Sequence, residues 1–426
     1  MTTLIRHDRA QAAAQFHAVR ARTLQLVEGL TAEDMLLQSM PDASPTKWHL
    51  AHTAWFFETF VLGPHRRGYR PFNEAFSVLY NSYYQAVGPQ WARQQRGLIS
   101  RPGLDVILAY RGAVDEAVVA LIAAASTSLW ETIAPVIELG LNHEEQHQEL
   151  ILTDVKHAFS LNPFSPAALA GTGPQLSGKQ AYAQTWIDGP AGLIDIGALD
   201  QDFAFDNERP RHSVHLRPYA LAGRPVSNAE YLSFIEDGGY ATPSLWLAEG
   251  WDRIQSEGWS APLYWRLSDH GWTEFTLYGL APLDLARAAT HLSAFEAAAF
   301  AAWAGARLPT EAEWEAAAMA QPEGGGAADQ SRDPLSAHPP AMSNPELAHW
   351  HDAAWQWTQS AYSPYPGFFP AAGALGEYNG KFMINQLVLR GGSCATPPGH
   401  ARGTYRNFFP AHARWQFSGL RLAKDL

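Results

Sequence analysis

Apolar positions recur with helical periodicity through the first 160 residues, and in short, turn-broken runs after that. The first stretch resolves into four long amphipathic segments, Arg9 to Leu30, Pro45 to Leu62, Pro102 to Ala125 and Trp130 to Phe159. Ser44 suits the cap of the second segment and Pro45 its first helical position. Four such helices with moderate connections predict a bundle, a fold whose inward-facing side chains commonly build metal sites. From Trp186 onward the runs are WIDGPAGLIDIG, RHSVHLRPYALAGRPVS, FMINQLVLRGGS and WQFSGLRLA. Only two or three short helices are expected among them, one being Ala297 to Trp303. This texture predicts a turn-rich α+β domain. Residues 161–182 are rich in Pro, Gly, Ser and Ala and read as a linker. The expected organisation is therefore multidomain α + (α+β), with a bundle at 1–160, a linker at 161–182 and an α+β domain at 183–426. Residues 320–346 have a loop composition, for which mobility is expected.

Composition narrows the function classes. A chain of 426 residues is long enough for two cores, and its net charge of −12 opposes the basic footprint that nucleic acid requires. The N-terminus lacks a signal-peptide pattern and no run of about 18 apolar residues occurs, so cytoplasmic residence without a membrane role is expected. Cys394 is the single cysteine, which excludes internal disulfides and Cys-rich metal sites. Any metal must be held by histidine and carboxylate. The load of 16 Trp favours pockets for apolar or cationic groups.

The segment LNHEEQHQEL places His143 and His147 four positions apart. On a helix such positions lie on one face, about 5 to 6 Å apart, close enough for two imidazoles to share an ion. Glu144 and Glu145 point away from that stripe, Gln146 flanks it, and Asp154 falls on it further along as a candidate acceptor for a ligand N–H. A His-rich solvated helix face gives the same spacing, and H-E-E-Q-H is one residue longer than the zinc-protease pattern. A third ligand must come from elsewhere. His49 and His52, in SPTKWHLAHTAWFFETFVL, roughly share a face, and either can complete a three-His set.

The motifs RPVSNAEYLSFI, WAGARLPTEAEWEAAA, WQWT, VLRGGS and FSGLRLA resemble, in order, the signature segments of the formylglycine-generating-enzyme fold, which is C-type-lectin-like. LAHTAWFFE followed by NHEEQHQEL is similar to the DinB-like four-helix metal-binding bundle. The pairing resembles the hercynine-dependent sulfoxide synthases of ergothioneine biosynthesis, including the related selenoneine synthases. That resemblance implies an iron(II) enzyme using O2 as co-substrate to join a thiol sulfur to imidazole C2 of hercynine, which is trimethylated histidine. It implies His52, His143 and His147 as the metal ligands, with His49 outside the set. Zinc also suits three imidazoles.

The resemblance further implies that Gln146 bonds the hercynine imidazole and that Asn407 helps to hold its carboxylate. Phe408, Phe409 and Trp415 would wall the pocket, an aromatic face favouring a trimethylammonium group. Phe409 stands where the branch using γ-glutamylcysteine carries an acid, so a compact donor is expected, cysteine or else a selenosugar. Tyr84, with Tyr83, is similar to a tyrosine pair that delivers a proton or electron during the reaction, and Tyr84 is the first choice for that role. Arg93, Arg96 and Arg101 are candidates for a donor carboxylate. Gln356 replaces the acid usual in G-D-V-W-E-W-T, which weakens a structural calcium assignment and suggests a neutral strut. Two other classes remain, formylglycine generation and a non-catalytic metal- or ligand-binding module. The first requires more cysteine chemistry than Cys394 offers.

Overall fold

The computed structural model describes residues 8–426 apart from 172, 174, 202, 322–336 and 345–347. The mobility expected of 320–346 falls mostly outside the described residues.

The first half is helical: α1 (Arg9–Leu26), α2 (Thr46–Phe57), the short α3 (Gly63–His65) and α4 (Phe76–Leu79), α5 (Leu104–Ala124) and α6 (Thr127–Ser160). Helix α2 is not amphipathic as its period suggested, because all twelve of its residues are buried. It runs through the middle of the bundle. A five-residue π-helical turn, Glu58–Leu62, continues it. Gly140 lets α6 approach closely, since a Cβ there would stand 2.6 Å from Phe57 Cε1.

A buried charge network fixes the rotation of α6. Glu144 accepts from Arg20 on α1 at 2.7 Å, from Arg111 on α5 at 2.9 Å and from Thr23 at 2.7 Å. Arg20 also binds Asp115 at 2.7 Å, and Arg111 donates to Thr53 Oγ1 and Leu50 O on α2. Burial pushes the Glu144 carboxyl up, but Arg20 and Arg111 outweigh it and hold the group at about 2. With Glu144 turned towards α1 and α5, the adjacent face of α6 carries His143 and His147 towards α2.

Among the described residues the second half carries four sheets. Strand β1 (Trp186–Asp188) pairs with β4 (Tyr219–Ala222), which also pairs with the C-terminal β12 (Ala423–Asp425). Strands β2 (Gly192–Ile196) and β3 (His212–Leu216) form a hairpin, and β5 (Trp265–Ser268), β6 (Gly271–Thr276) and β7 (Gly279–Pro282) a meander. The remaining sheet has the order β10-β9-β8-β11, from β8 (Trp355–Ala361), β9 (Leu387–Arg390), β10 (Asn407–Phe409) and β11 (Ser418–Gly419).

Helix content exceeds expectation here. Besides α9 (Ala294–Trp303) the domain contains α7 (Asn228–Glu236), α8 (Ala248–Glu257) and α10 (Glu311–Met319). Three of these start with a capping box, Ser227 with Glu230, Ser293 with Glu296 and Thr310 with Glu313. The S/T-x-x-E spacing marked them in the sequence, while their short length hid the period.

Residues 161–182 do not hang free between the halves. Ala168 N and Leu169 N donate to Leu277 O, Ser177 donates to Asp284, and Tyr182 N donates to Met342 O. Among the described residues no helix is long and apolar enough to cross a membrane.

Candidate metal centre and substrate cavity

Helices α2 and α6 bring three imidazoles together. His52 Nε2 lies 3.2 Å from His143 Nε2, which lies 3.0 Å from His147 Nε2. Adjacent ligands around a first-row metal, with bonds near 2.1 Å, are separated by roughly 3 Å when they meet at right angles. Two of the donor separations thus match adjacent ligands of one ion and all three donor atoms lie within 4.8 Å of one another, so the set fits an iron(II) or zinc ion. Among the described residues no other group of three His, Cys, Asp or Glu side chains converges in this way.

Burial keeps the imidazoles neutral, as ligands must be. It drives His143 down to about 3 despite the pull of Glu144. It also lowers His52 and His147 well below the ordinary imidazole range, with neighbouring histidines adding to the effect. His52 is clamped between Trp48, with ring centroids 4.5 Å apart, and Trp55, at 5.4 Å. Its Nδ1 lies 2.6 Å from Tyr80 O, so that nitrogen carries the proton and Nε2 keeps its lone pair. Asp154, expected to accept from a ligand, instead meets His49 Nε2 at 3.1 Å, and His49 Nδ1 meets His147 Nδ1 at 2.7 Å.

His143 and His147 form part of the wall of a cavity of about 500 Å³ between the two halves. Gln146 faces it too. Its Nε2 donates to the Tyr405 hydroxyl at 2.5 Å, and its Oε1 accepts from the Tyr378 hydroxyl. The Tyr378 ring stands 5.7 Å from His143. Across the cavity lie Asn407, Phe408, Phe409 and Trp415. Asn407 Oδ1 accepts from Phe408 N at 2.9 Å, which leaves the amide NH2 of Asn407 for a ligand. Phe408 stacks on Tyr362 with centroids 4.0 Å apart, and Phe409 meets Trp415 edge-on at 6.5 Å.

The tyrosine pair divides. Tyr83 lines the cavity, whereas Tyr84 does not reach it. Tyr84 is fully buried, stacked on Tyr83 at 4.6 Å and packed against Trp55 and Phe60. Burial raises both phenols. The arginines divide as well. Arg96 and Arg93 line the cavity, while Arg101 is exposed and away from it. Arg96 is buried 3.4 Å above the Trp48 ring centroid and donates to Ser44 Oγ at 2.8 Å. Among the described residues it forms no ion pair, and burial, with Arg93 alongside, lowers it to about 9.

Sequence reasoning missed the residues that hold Gln146 and the joint between the halves. Tyr405 lies in TYRNFF, two residues before Asn407, and proximity to that motif was an available signal. Tyr378 sits in GEYNGKF, which has no pattern to mark it. Glu149 accepts from Trp355 Nε1 at 2.9 Å, Ser393 Oγ at 2.5 Å and Thr396 Oγ1 at 2.8 Å, and Glu145 meets His400 Nδ1 at 2.9 Å. These bonds dock α6 onto the second half. Gln356 is fully buried, its Oε1 accepting from Trp314 Nε1 at 2.7 Å and Arg421 Nε at 2.8 Å, while its Nε2 donates to Trp350 O at 3.1 Å. That is the bonding of a neutral strut.

Residues 15–151 match the DinB superfamily, and residues 179–350 match the sulfatase-modifying factor enzyme 1-like domain. The chain is 32% identical over 449 residues to the hercynine oxygenase of Mycobacterium tuberculosis (strain ATCC 25618 / H37Rv), covering 98% of this chain and 99% of that protein. It is 32% identical over 443 residues to the hercynine oxygenase of Mycolicibacterium smegmatis, covering 96% and 97%. The ergothioneine biosynthesis protein 1 of Schizosaccharomyces pombe is 25% identical over 331 residues, covering 68% of this chain and 40% of that protein. With both halves matched in order and the alignment running the length of both partners, the chain belongs to the hercynine oxygenase family of ergothioneine biosynthesis.

Proposed function

We propose that this protein is a nonheme iron(II), O2-dependent enzyme that forms a carbon–sulfur bond at imidazole C2 of hercynine, with cysteine as the sulfur donor. The observation that carries the reading is the convergence of His52, His143 and His147 beside a cavity that Gln146 also faces. An iron(II) ion held by the three imidazoles would supply the activation of O2. The balance of the reaction is simple. The C2–H and S–H hydrogens leave as water with one oxygen atom of O2, and the other oxygen becomes the sulfoxide.

The chain's own residues bind and orient. Gln146, fixed between Tyr378 and Tyr405, offers an amide to the hercynine imidazole. The Asn407 amide addresses the carboxylate, and Phe408, Phe409 and Trp415 offer ring faces to the trimethylammonium group, worth about 1 to 2 kcal/mol when water is excluded. Among the described residues Arg96 is buried without an ion pair, so an anionic donor gains a charge-assisted bond there, with Arg93 at the rim. This favours cysteine over a neutral selenosugar. Tyr83 is the phenol of its pair positioned to exchange a proton with bound substrate, with Tyr84 stacked behind it.

The test is a mass-spectrometric product assay with the iron-loaded protein, hercynine, O2 and one donor at a time. A sulfoxide adduct with cysteine is expected. A C–Se adduct with a selenosugar and none with cysteine would replace cysteine by a selenium donor. Unconsumed hercynine with every donor would overturn the reading.

A further inference from the structure

The three imidazoles are not held alike. His52 leans on a backbone carbonyl, His143 Nδ1 is buried without a hydrogen-bond partner among the described residues, and His147 leans on a fourth histidine. We propose that His49 is a positioning residue for the metal centre, which fixes His147 by accepting its Nδ1–H and is itself fixed by Asp154. The proposal rests on the three-His reading above.

A ligating nitrogen needs its lone pair, and His147 Nε2 is the atom that faces His143. The proton of neutral His147 must then sit on Nδ1, 2.7 Å from His49 Nδ1. Two nitrogens at that distance need one donor and one acceptor, so His49 Nδ1 must present a lone pair and carry its proton on Nε2. That nitrogen stands 3.1 Å from Asp154 Oδ2, which can only accept. Every proton position is thereby determined, with no conflict along the chain. The same carboxylate oxygen accepts from Ser44 N at 2.8 Å, next to the start of α2. The relay therefore also ties α6, which carries His147, to α2, which carries His49 and His52.

The relay spans both helices, and His49 is 2% exposed, so it is no bystander on a solvated face. Partners of this kind hold a metal-bound imidazole in rotation and raise its basicity, and their loss typically lowers metal affinity about 10- to 100-fold.

The apo-protein is titrated anaerobically with iron(II) against a chromophoric chelator, and separately with cobalt(II), whose visible spectrum reports ligand geometry. His49→Ala is expected to weaken iron(II) binding by about 10-fold or more and to shift the cobalt spectrum. His49→Asn, whose amide oxygen can stand near the former Nδ1, is expected to recover most of both. Asp154→Asn keeps an oxygen for Ser44 N and carries the test if His49→Ala does not fold, with an intermediate loss of affinity expected. Affinity and spectrum unchanged in His49→Ala, or a His49→Asn protein no better than His49→Ala, would overturn the proposal while leaving the three-His site intact. A wild-type protein that fails to bind iron(II) at all would instead remove the reading on which it rests.

Discussion

Glu144→Gln tests whether the ion network inside the bundle sets the face that α6 offers. The network holds two guanidiniums, Arg20 and Arg111, and two carboxylates, Glu144 and Asp115. It is neutral as it stands, and the substitution leaves one uncompensated positive charge beside Arg20 and Arg111, both almost fully buried, with Asp115 partly exposed at the edge. Removing one partner of a buried pair costs about 3 to 5 kcal/mol. An independent route agrees: holding the carboxyl at about 2 against an ordinary 4.5 corresponds to about 3 kcal/mol. The folded-state value is depressed, so this contribution is fully present above the ordinary carboxyl range and is lost as pH falls towards 2. Burial lowers Arg20 as well, but its two carboxylates together outweigh that and raise it, whereas burial dominates at Arg111 and lowers it. Glutamine also turns an NH2 towards one guanidinium. The thermal midpoint of the helical half at neutral pH is expected to fall by about 10 °C, and iron(II) affinity with it, because α6 loses its rotational anchor. Calorimetry and anaerobic titration read the two effects. A midpoint within about 2 °C of wild type would refute the reasoning that the charge, rather than side-chain shape, holds the helix.

Three further outcomes concern the cavity. Gln146→Leu removes the imidazole contact while keeping volume, so hercynine binding by calorimetry should weaken by at least 10-fold with iron content unchanged; unchanged binding would exclude Gln146 from the substrate site. Arg96→Gln should raise KM for cysteine by more than 10-fold and leave hercynine affinity alone, and an unaffected cysteine KM would point to a donor without a carboxylate. Tyr83→Phe should slow sulfoxide formation with hercynine binding intact, more than Tyr84→Phe does; a larger effect at Tyr84 would return the proton-transfer role to the buried phenol.

Spacing and motif resemblance made the helical bundle, the family and the His pair on α6 legible in the sequence. His49 and His52 could not be separated by spacing alone, because three residues of helix turn them only about 60° apart. The structure separates them through partners: Trp48, Trp55 and Tyr80 O surround His52, whereas His49 faces Asp154. Tyr83 and Tyr84 illustrate a second limit. Consecutive residues in an irregular loop have no period, so which phenol faces the cavity depends on the packing of Trp55 and Phe60 behind it. The bonds of Tyr378 and Tyr405 to Gln146 were missed for a third reason. They span 232 and 259 residues, a pairing set by the docking of the second half on α6, and only Tyr405 has a nearby motif to mark it.

Iron binding is expected to require His52, His143 and His147 together. The most direct test is anaerobic iron(II) titration of the wild-type protein and of the three single alanine variants, followed by addition of hercynine. The wild type is expected to bind one iron per chain, and hercynine to perturb the spectrum of the bound ion, while each variant loses the ion because one of three protein bonds is gone. Normal iron content in any of the three variants would contradict the account.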